Sequence, residues 1–273
     1  MMTPSRSLLP DGQDSIFRLR EANLSDAPAM AQICMEAFAS GPIARGLHGQ
    51  TGYSEAGRAS MQAGMEIDLR AGNSSTVRYV VAELVDNCSI PASMPSNTSG
   101  DRPCQTPSTL IGFAKWLFYP DPAKFAQGPT TVSTSSLDEG SNLGLAQAFF
   151  GGCHELRQRY IEREARRHCI LTILAVSPTR RGLGAGSALL GWGTDFADRE
   201  GLDCWLTSTP VGYGVYRRAG FGNVDVLDLD LGRWGLGKVD GEDWGEMLAV
   251  DGFGGVGGGL YRVVLMCRRA LNG

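Results

Sequence analysis

The residues with the strongest chemical content stand together at 181–187, where Arg181, Gly182, Leu183, Gly184, Ala185, Gly186 and Ser187 form a glycine loop. An apolar run, CILTILAV at 169–176, precedes it and ends at Ser177-Pro178. A helix follows to about Arg199, with Ala185, Ala188, Leu189, Trp192 and Phe196 on one stripe. A buried strand, a glycine loop and a helix N-terminus together make an anion site. First-turn N–H groups have no helical partner, the macrodipole favours negative charge, and glycine lets a phosphate approach the backbone. A Walker A loop needs Lys-Ser/Thr after its last glycine, and here the chain reads Ala-Gly-Ser-Ala. A Rossmann fingerprint begun at Gly182 would put its third glycine at Ser187. Neither fits; the spacing R-x-x-G-x-G does.

With that spacing, LAVSPTRRGLGAGSALL resembles the pyrophosphate-binding motif of the GCN5-related N-acetyltransferase (GNAT) superfamily, with Arg181, Gly184 and Gly186 at its signature positions. VYRRAGF at 215–221 is similar to the Tyr-x-x-x-Gly-Phe segment of the same family. The phrases GAGSALL, WGTDFADREGL and YRRAGF also look like a subgroup of fungal-type acyltransferases. The specific part of the likeness covers 169–221.

The resemblance implies a fold, a cosubstrate and residue roles. The fold would be α/β (α+β), a mixed, mostly antiparallel central sheet of six to seven strands with flanking helices. Acetyl-CoA would donate its acetyl group directly to an amine, either a small molecule or a peptide. Leu174, Ala175 and Val176 would end a splayed central strand whose free N–H groups hold the acetyl carbonyl and the pantetheine arm. Gly182 through Ser187 would wrap the pyrophosphate, with Arg181 adding charge-assisted contacts. Tyr216 would be the general acid that protonates the departing thiolate, a task suited to a phenol that stays neutral at pH 7. Tyr213, three residues earlier, is a second candidate for that role.

Two departures from the family pattern stand out. Thr209 occupies the position where many members carry an asparagine that contacts pantetheine. The central strand holds no carboxylate to take the amine's proton, only Thr172 as a polar centre. Glu83, Asp225, Asp228 and Asp230 are open alternatives, although alternating aspartates also suit the wet face of an edge strand. A coenzyme A-binding module without turnover is the rival reading. His48, His154 and His168 stand in no motif, and no cysteine stands in a recognisable Cys/His setting.

The elements that must position these residues follow from pattern. FRLREA at 17–22 alternates as a half-buried strand, and Ser25 reads as the N-cap of a helix through Ala29, Met30, Ile33, Ala37 and Phe38 that Gly41-Pro42 ends. A second helix spans 54–69, and strands follow at 77–85 and 110–118. Residues 143–167 are an amphipathic helix interrupted at Gly151-Gly152, its arginines and glutamates reading as a solvated face of i,i+4 pairs. The strand 169–176 should be covered on both faces. Strands at 204–208, 224–231 and 261–269 and a helix at 211–219 complete the plan.

The 273 residues, 42% hydrophobic and 20% charged, exclude full disorder. They suit one acyltransferase domain over 15–273, with flexible insertions at about 86–109, 120–142 and 232–259 and a disordered tail at 1–14. A net charge of −4 suggests neither a nucleic-acid nor a membrane partner. Seven scattered cysteines make a poor disulfide framework and a poor zinc site, so no metal is expected. The N-terminus lacks an apolar signal region, which points to a soluble cytoplasmic protein. Oligomeric state has no signature in the pattern.

Overall fold

In a computed structural model, residues 16–49, 52–72, 76–85, 109–121, 137, 140–164, 166–246 and 253–271 are described. The tail 1–14 and most of the expected insertions 86–109 and 120–142 lie outside the described residues.

The chain runs β1 (Phe17–Glu21), α1 (Ala27–Phe38), α2 (Pro42–His48), α3 (Glu55–Arg70), β2 (Val77–Leu84) and β3 (Leu110–Tyr119). Then come α4 (Leu143–Ala146), a π-helical turn Gln147–Gly151, and α5 (Gly152–Glu164). The second half holds β4 (His168–Val176), α6 (Ala185–Glu200), β5 (Asp203–Ser208), α7 (Pro210–Arg218), β6 (Gly222–Asp230) and β7 (Leu260–Arg268). The strands form one seven-stranded sheet in the order β1-β2-β3-β4-β5-β7-β6. Among the described residues only β4 and β5 pair in parallel. This is the mixed, mostly antiparallel α/β architecture expected from the sequence.

Each face of the sheet carries its own core. On one, Ala185, Leu189, Leu190 and Ala197 of α6 pack over Trp116, Cys169, Leu171, Cys204 and Leu206. The helix comes so close that a Cβ on Gly193 would fall 2.1 Å from the Trp116 ring. Glycine at 193 is therefore a packing requirement rather than a turn. On the other face, Met30, Ala31 and Cys34 of α1 and Met65 of α3 cover Tyr79, Val81, Phe113 and Ala175. Further along that same face, Leu156 and Ile161 of α5 cover Ile170, Trp205, Leu265 and Cys267. Coverage of β4 is not continuous: Thr172, between these two lids, is exposed.

Local chemistry adjusts several sequence boundaries. Asn23, not Ser25, opens the first helical segment, because its Oδ1 accepts the Ser25 N–H at 2.9 Å while Asp26 returns a bond to the Asn23 N–H. Pro42 starts α2 instead of only ending α1, since a proline at the first helical position gives up no helical bond. Ser54 caps α3 through Gly57 N–H at 3.0 Å. The Gly151-Gly152 interruption is a π-helical turn that leads straight into α5. Among the described residues α5 shows no i,i+4 ion pair; its Glu164 pairs with Arg269 instead. The segment expected to be loose at 232–259 is anchored in its first half. Trp244 is buried edge-on against Tyr261, and Glu242 pairs with Arg45 of α2.

Candidate active site

β4 and β5 are in register from His168↔Asp203 to Leu171↔Leu206 and no further, although β4 continues to Val176 and β5 to Ser208. The separation begins at a β-bulge. Lys115 of β3 faces Ile173 and Trp116 faces Leu171, leaving Thr172 as the extra residue, with its Oγ1 donating to the Lys115 carbonyl at 3.2 Å. Beyond the bulge β4 stays with β3 and turns away from β5. The Ser177 N–H donates to the Ile111 carbonyl at 2.9 Å. Alternation back along the strand then turns the N–H groups of Leu174 and Val176 toward the gap. Ala175 lies on the opposite phase. Its N–H serves the β3 ladder and its side chain is buried under α1, so only two of the three expected strand-end donors face the splay.

The glycine loop closes the same end of β4. Pro178–Arg180 make a 3-10 turn, and Gly182 and Gly184 follow at φ +84° and +82°, a region that side chains oppose. Gly184 is the N-cap of α6 and supplies no side-chain bond. The first i→i−4 bond of that helix is Ala188 N–H to the Gly184 carbonyl, at 3.0 Å. The N–H groups of Ala185, Gly186 and Ser187 are thus left for a ligand. Ala185 is buried as the base of the loop, whereas Leu183 and Ser187 are exposed. Gly186 is different from its neighbours: among the described residues a Cβ there would meet only Val176 Cγ2, at an ordinary 3.6 Å. Nothing in the packing of the described residues requires that glycine. Arg181 reaches across to α1, donating from Nη2 to the Ala37 carbonyl at 3.0 Å. It ties the loop to the C-terminus of that helix, and among the described residues its other N–H donors have no partner.

Tyr216 lies on α7, half-buried, edge-on to Phe221 with ring centroids 6.1 Å apart. Gly212 makes room for it, since a Cβ there would stand 2.8 Å from Tyr216 Cε2. Its hydroxyl has no hydrogen-bond partner among the described residues, and burial pushes its pKa well above the usual phenol value. Tyr213, the second candidate, is buried, and its hydroxyl accepts from Asn223 Nδ2 at 2.7 Å, which occupies it structurally. Thr209 is the N-cap of α7 but makes no side-chain cap bond.

Every carboxylate nominated from sequence is engaged elsewhere. Glu83 is buried between Arg18 at 2.7 Å and Arg20 at 3.2 Å. Asp225 accepts from the Tyr160 hydroxyl at 2.8 Å, and Asp228 takes Arg262 in a bidentate pair at 2.8 and 2.7 Å. Asp230 accepts the Gly232 N–H at 3.1 Å. His48 packs tilted against Tyr53, with ring centroids 4.2 Å apart. His154 lies on α5, and His168 is buried, its pKa lowered by that burial. Cys34, Cys153, Cys169, Cys204 and Cys267 are buried thiols. Burial pushes Cys34 up to about 12 and Cys153 to about 11, so neither is a ready nucleophile. Cys88 and Cys104 lie outside the described residues.

Two groups near the splay carry no sequence motif. Asp68 of α3 accepts from both the Tyr79 hydroxyl and Lys115 Nζ at 2.7 Å, beside the bulge. A single lysine inside the otherwise apolar run LIGFAKWLF was the available signal for it. Arg157 of α5 turns inward to Thr207, and among several arginines in one helix nothing marked it out.

The loop, the splay and Tyr216 fall in one continuous stretch that also has a family signature. Residues 108–221 match the acetyltransferase (GNAT) family. The GNAT match begins beside β3 and ends at Phe221, so it takes in the bulge, both splayed strands, the glycine loop and Tyr216. No curated protein matches the chain. Among solved structures it is similar to a mosquito arylalkylamine N-acetyltransferase-like protein, 5b, at 17% identity and TM-score 0.49, covering 93% of this chain and 99% of that one. A Corynebacterium glutamicum structure described as histone acetyltransferase HPA2 and related acetyltransferase aligns at 16% identity and TM-score 0.47, covering 93% and 96%. The PaiA N-acetyltransferase of Thermoplasma acidophilum, in complex with coenzyme A, aligns at 13% identity and TM-score 0.44, covering 93% and 98%. Among the described residues no helix is long and apolar enough to cross a membrane, and no group of three or more His, Cys, Asp or Glu side chains could hold a metal ion.

Proposed function

We propose that the chain is a GNAT acyltransferase that passes the acetyl group of acetyl-CoA directly to an amine, within one catalytic domain over 15–273. The observation that carries this reading is the joining of two backbone devices at one end of β4. One is the splay, with the Leu174 and Val176 N–H groups turned into it; the other is the uncapped N-terminus of α6. A pantetheine arm is long, thin and amide-bearing, and suits the gap between strands. A pyrophosphate suits the glycine loop, and close approach by such an anion supplies the reason for Gly186 that the protein's packing lacks.

In this reading the Leu174 N–H donates to the thioester carbonyl oxygen, where negative charge grows as the amine nitrogen attacks the carbon. The new C–N bond replaces the C–S bond. Tyr216, held protonated by its burial, gives its hydroxyl proton to the departing sulfur. Because the nominated carboxylates are bound in their own pairs, the nitrogen's surplus proton leaves to water, which in turn reprotonates the Tyr216 phenolate. The same engagement favours the second reading, a coenzyme A-binding sensor without turnover. Thiol release from acetyl-CoA with an amine panel, followed by product mass spectrometry, separates them. Acetylated amine supports the transferase; acetyl-CoA binding without release under any acceptor supports the sensor.

A further inference from the structure

We infer that the acceptor of this proposed transferase carries a carboxylate beside its amine, and that Arg157 receives it. The inference rests on the acyltransferase reading above. The observation is a guanidinium with no carboxylate partner among the described residues. α5 packs on the sheet face opposite α6, with Leu156 and Ile161 against Ile170 and Trp205. Thr207, two residues after Trp205, presents its side chain on the same face. Arg157 Nη1 lies 3.4 Å from Thr207 Oγ1, its one hydrogen bond among the described residues. Cys153 and Tyr119 are the other titratable groups acting on it, and burial lowers its pKa.

Acids are not scarce nearby. Asp225 takes the Tyr160 hydroxyl, Asp203 takes Arg166 and Arg269, and Glu164 takes Arg269. None is spent on Arg157. Other half-buried or buried arginines of the fold, Arg20, Arg45, Arg262 and Arg268, each hold a carboxylate. A charge partly withdrawn from water without a counter-ion is costly, and an arriving carboxylate meets the planar fork in bidentate fashion.

The place is as informative as the charge. Thr207 is the first β5 residue beyond the last β4–β5 pair, and the exposed Thr172 stands at the bulge on the facing strand. A carboxylate on Arg157 and Thr207 lies at the mouth of the splay, on the face away from α6. In this proposal an amine a few bonds from that carboxylate meets the carbonyl held at Leu174. A small amino acid carries both groups; a plain alkylamine leaves Arg157 unanswered.

The test uses the full-length chain loaded with coenzyme A and matched pairs that differ by one carboxylate: lysine with cadaverine, tyrosine with tyramine, β-alanine with ethylamine. Binding is read by ligand-observed NMR, acetylation by thiol release with acetyl-CoA. At least one amino acid is expected to surpass its decarboxylated partner by about 10-fold or more, and Arg157→Gln to erase that preference through KM. Arg157→Lys should restore part of it, and Thr207→Val should weaken it should Arg157→Gln not fold. The affinity for acetyl-CoA stays unchanged in each folded variant. Equal or better use of the decarboxylated partners, no amino acid bound, or a preference that survives both Arg157→Gln and Thr207→Val overturns the inference alone. Failure of the wild type to bind acetyl-CoA overturns the acyltransferase reading with it.

Discussion

The two sides of the β4–β5 splay are built from different materials. The side toward α6 offers backbone: the N–H groups of Leu174 and Val176, two glycines at positive φ, and a helix end without a cap. The side away from α6 offers side chains: Arg157 and Thr207 on one flank, Asp68, Tyr79 and Lys115 on the other. Recognition by backbone constrains residue types at fixed spacing, because only glycine tolerates the dihedrals and a ligand's close approach. Recognition by side chains needs only that distant segments converge, and no spacing records it. One flank comes from α5 and β5, the other from α3, β2 and β3. A common cosubstrate and a particular acceptor would divide along that line.

Variants on each side can break or sharpen this contrast. The largest effect is expected from Tyr216→Phe, which should lower kcat by about 100-fold or more while leaving acetyl-CoA affinity intact. Steady-state kinetics beside calorimetry checks it; a parallel loss of affinity would make Tyr216 a packing residue. Gly184→Ala comes next. At φ +82° a Cβ costs about 1–2 kcal/mol, so acetyl-CoA affinity should fall by roughly 10-fold. Gly186→Ala is sharper because the protein itself has room for the methyl group. Its melting temperature should hold or rise, since alanine gains about 0.5–1 kcal/mol in a helix, while acetyl-CoA affinity falls. Affinity that rises with stability would remove the ligand-side reason for that glycine. The smallest effect is expected from Ser54→Ala, which removes the α3 cap and should cost about 1 kcal/mol in denaturant unfolding without touching acetyl-CoA affinity. A pH profile adds a check on the same residue pair of roles. Burial raises the Tyr216 pKa, so the proton stays on the phenol as pH rises toward its ordinary value of 10.0. No alkaline loss of kcat should come from Tyr216 below about pH 10.

The same division explains what the residue order disclosed. The strand 169–176, the glycine loop, α6 and α7 were legible because apolar periodicity, Pro178 and the glycines all acted locally. The splay was legible only through resemblance, and its phase was not. Whether Ala175 or Leu174 turns its N–H into the gap depends on the bulge at Thr172, a cross-strand feature. Ser25 lost the cap position to Asn23 because two neighbouring polar side chains compete and the reciprocal bond from Asp26 decides. Arg157 was hidden in HELRQRYIEREARR, where direction around the helix depends on α5 lying over β5. Trp244 and Glu242 held no local pattern, yet their contacts with Tyr261 and Arg45 fix part of a glycine-rich segment.

The central claim is that the splay and the α6 N-terminus together form an acetyl-CoA site. Titration calorimetry of the purified chain with acetyl-CoA tests it most directly. A saturable heat that weakens in Gly184→Ala and Gly186→Ala, but not in Tyr216→Phe, is the predicted result. No heat of binding up to millimolar acetyl-CoA, from a chain whose cooperative unfolding shows it to be folded, would contradict it.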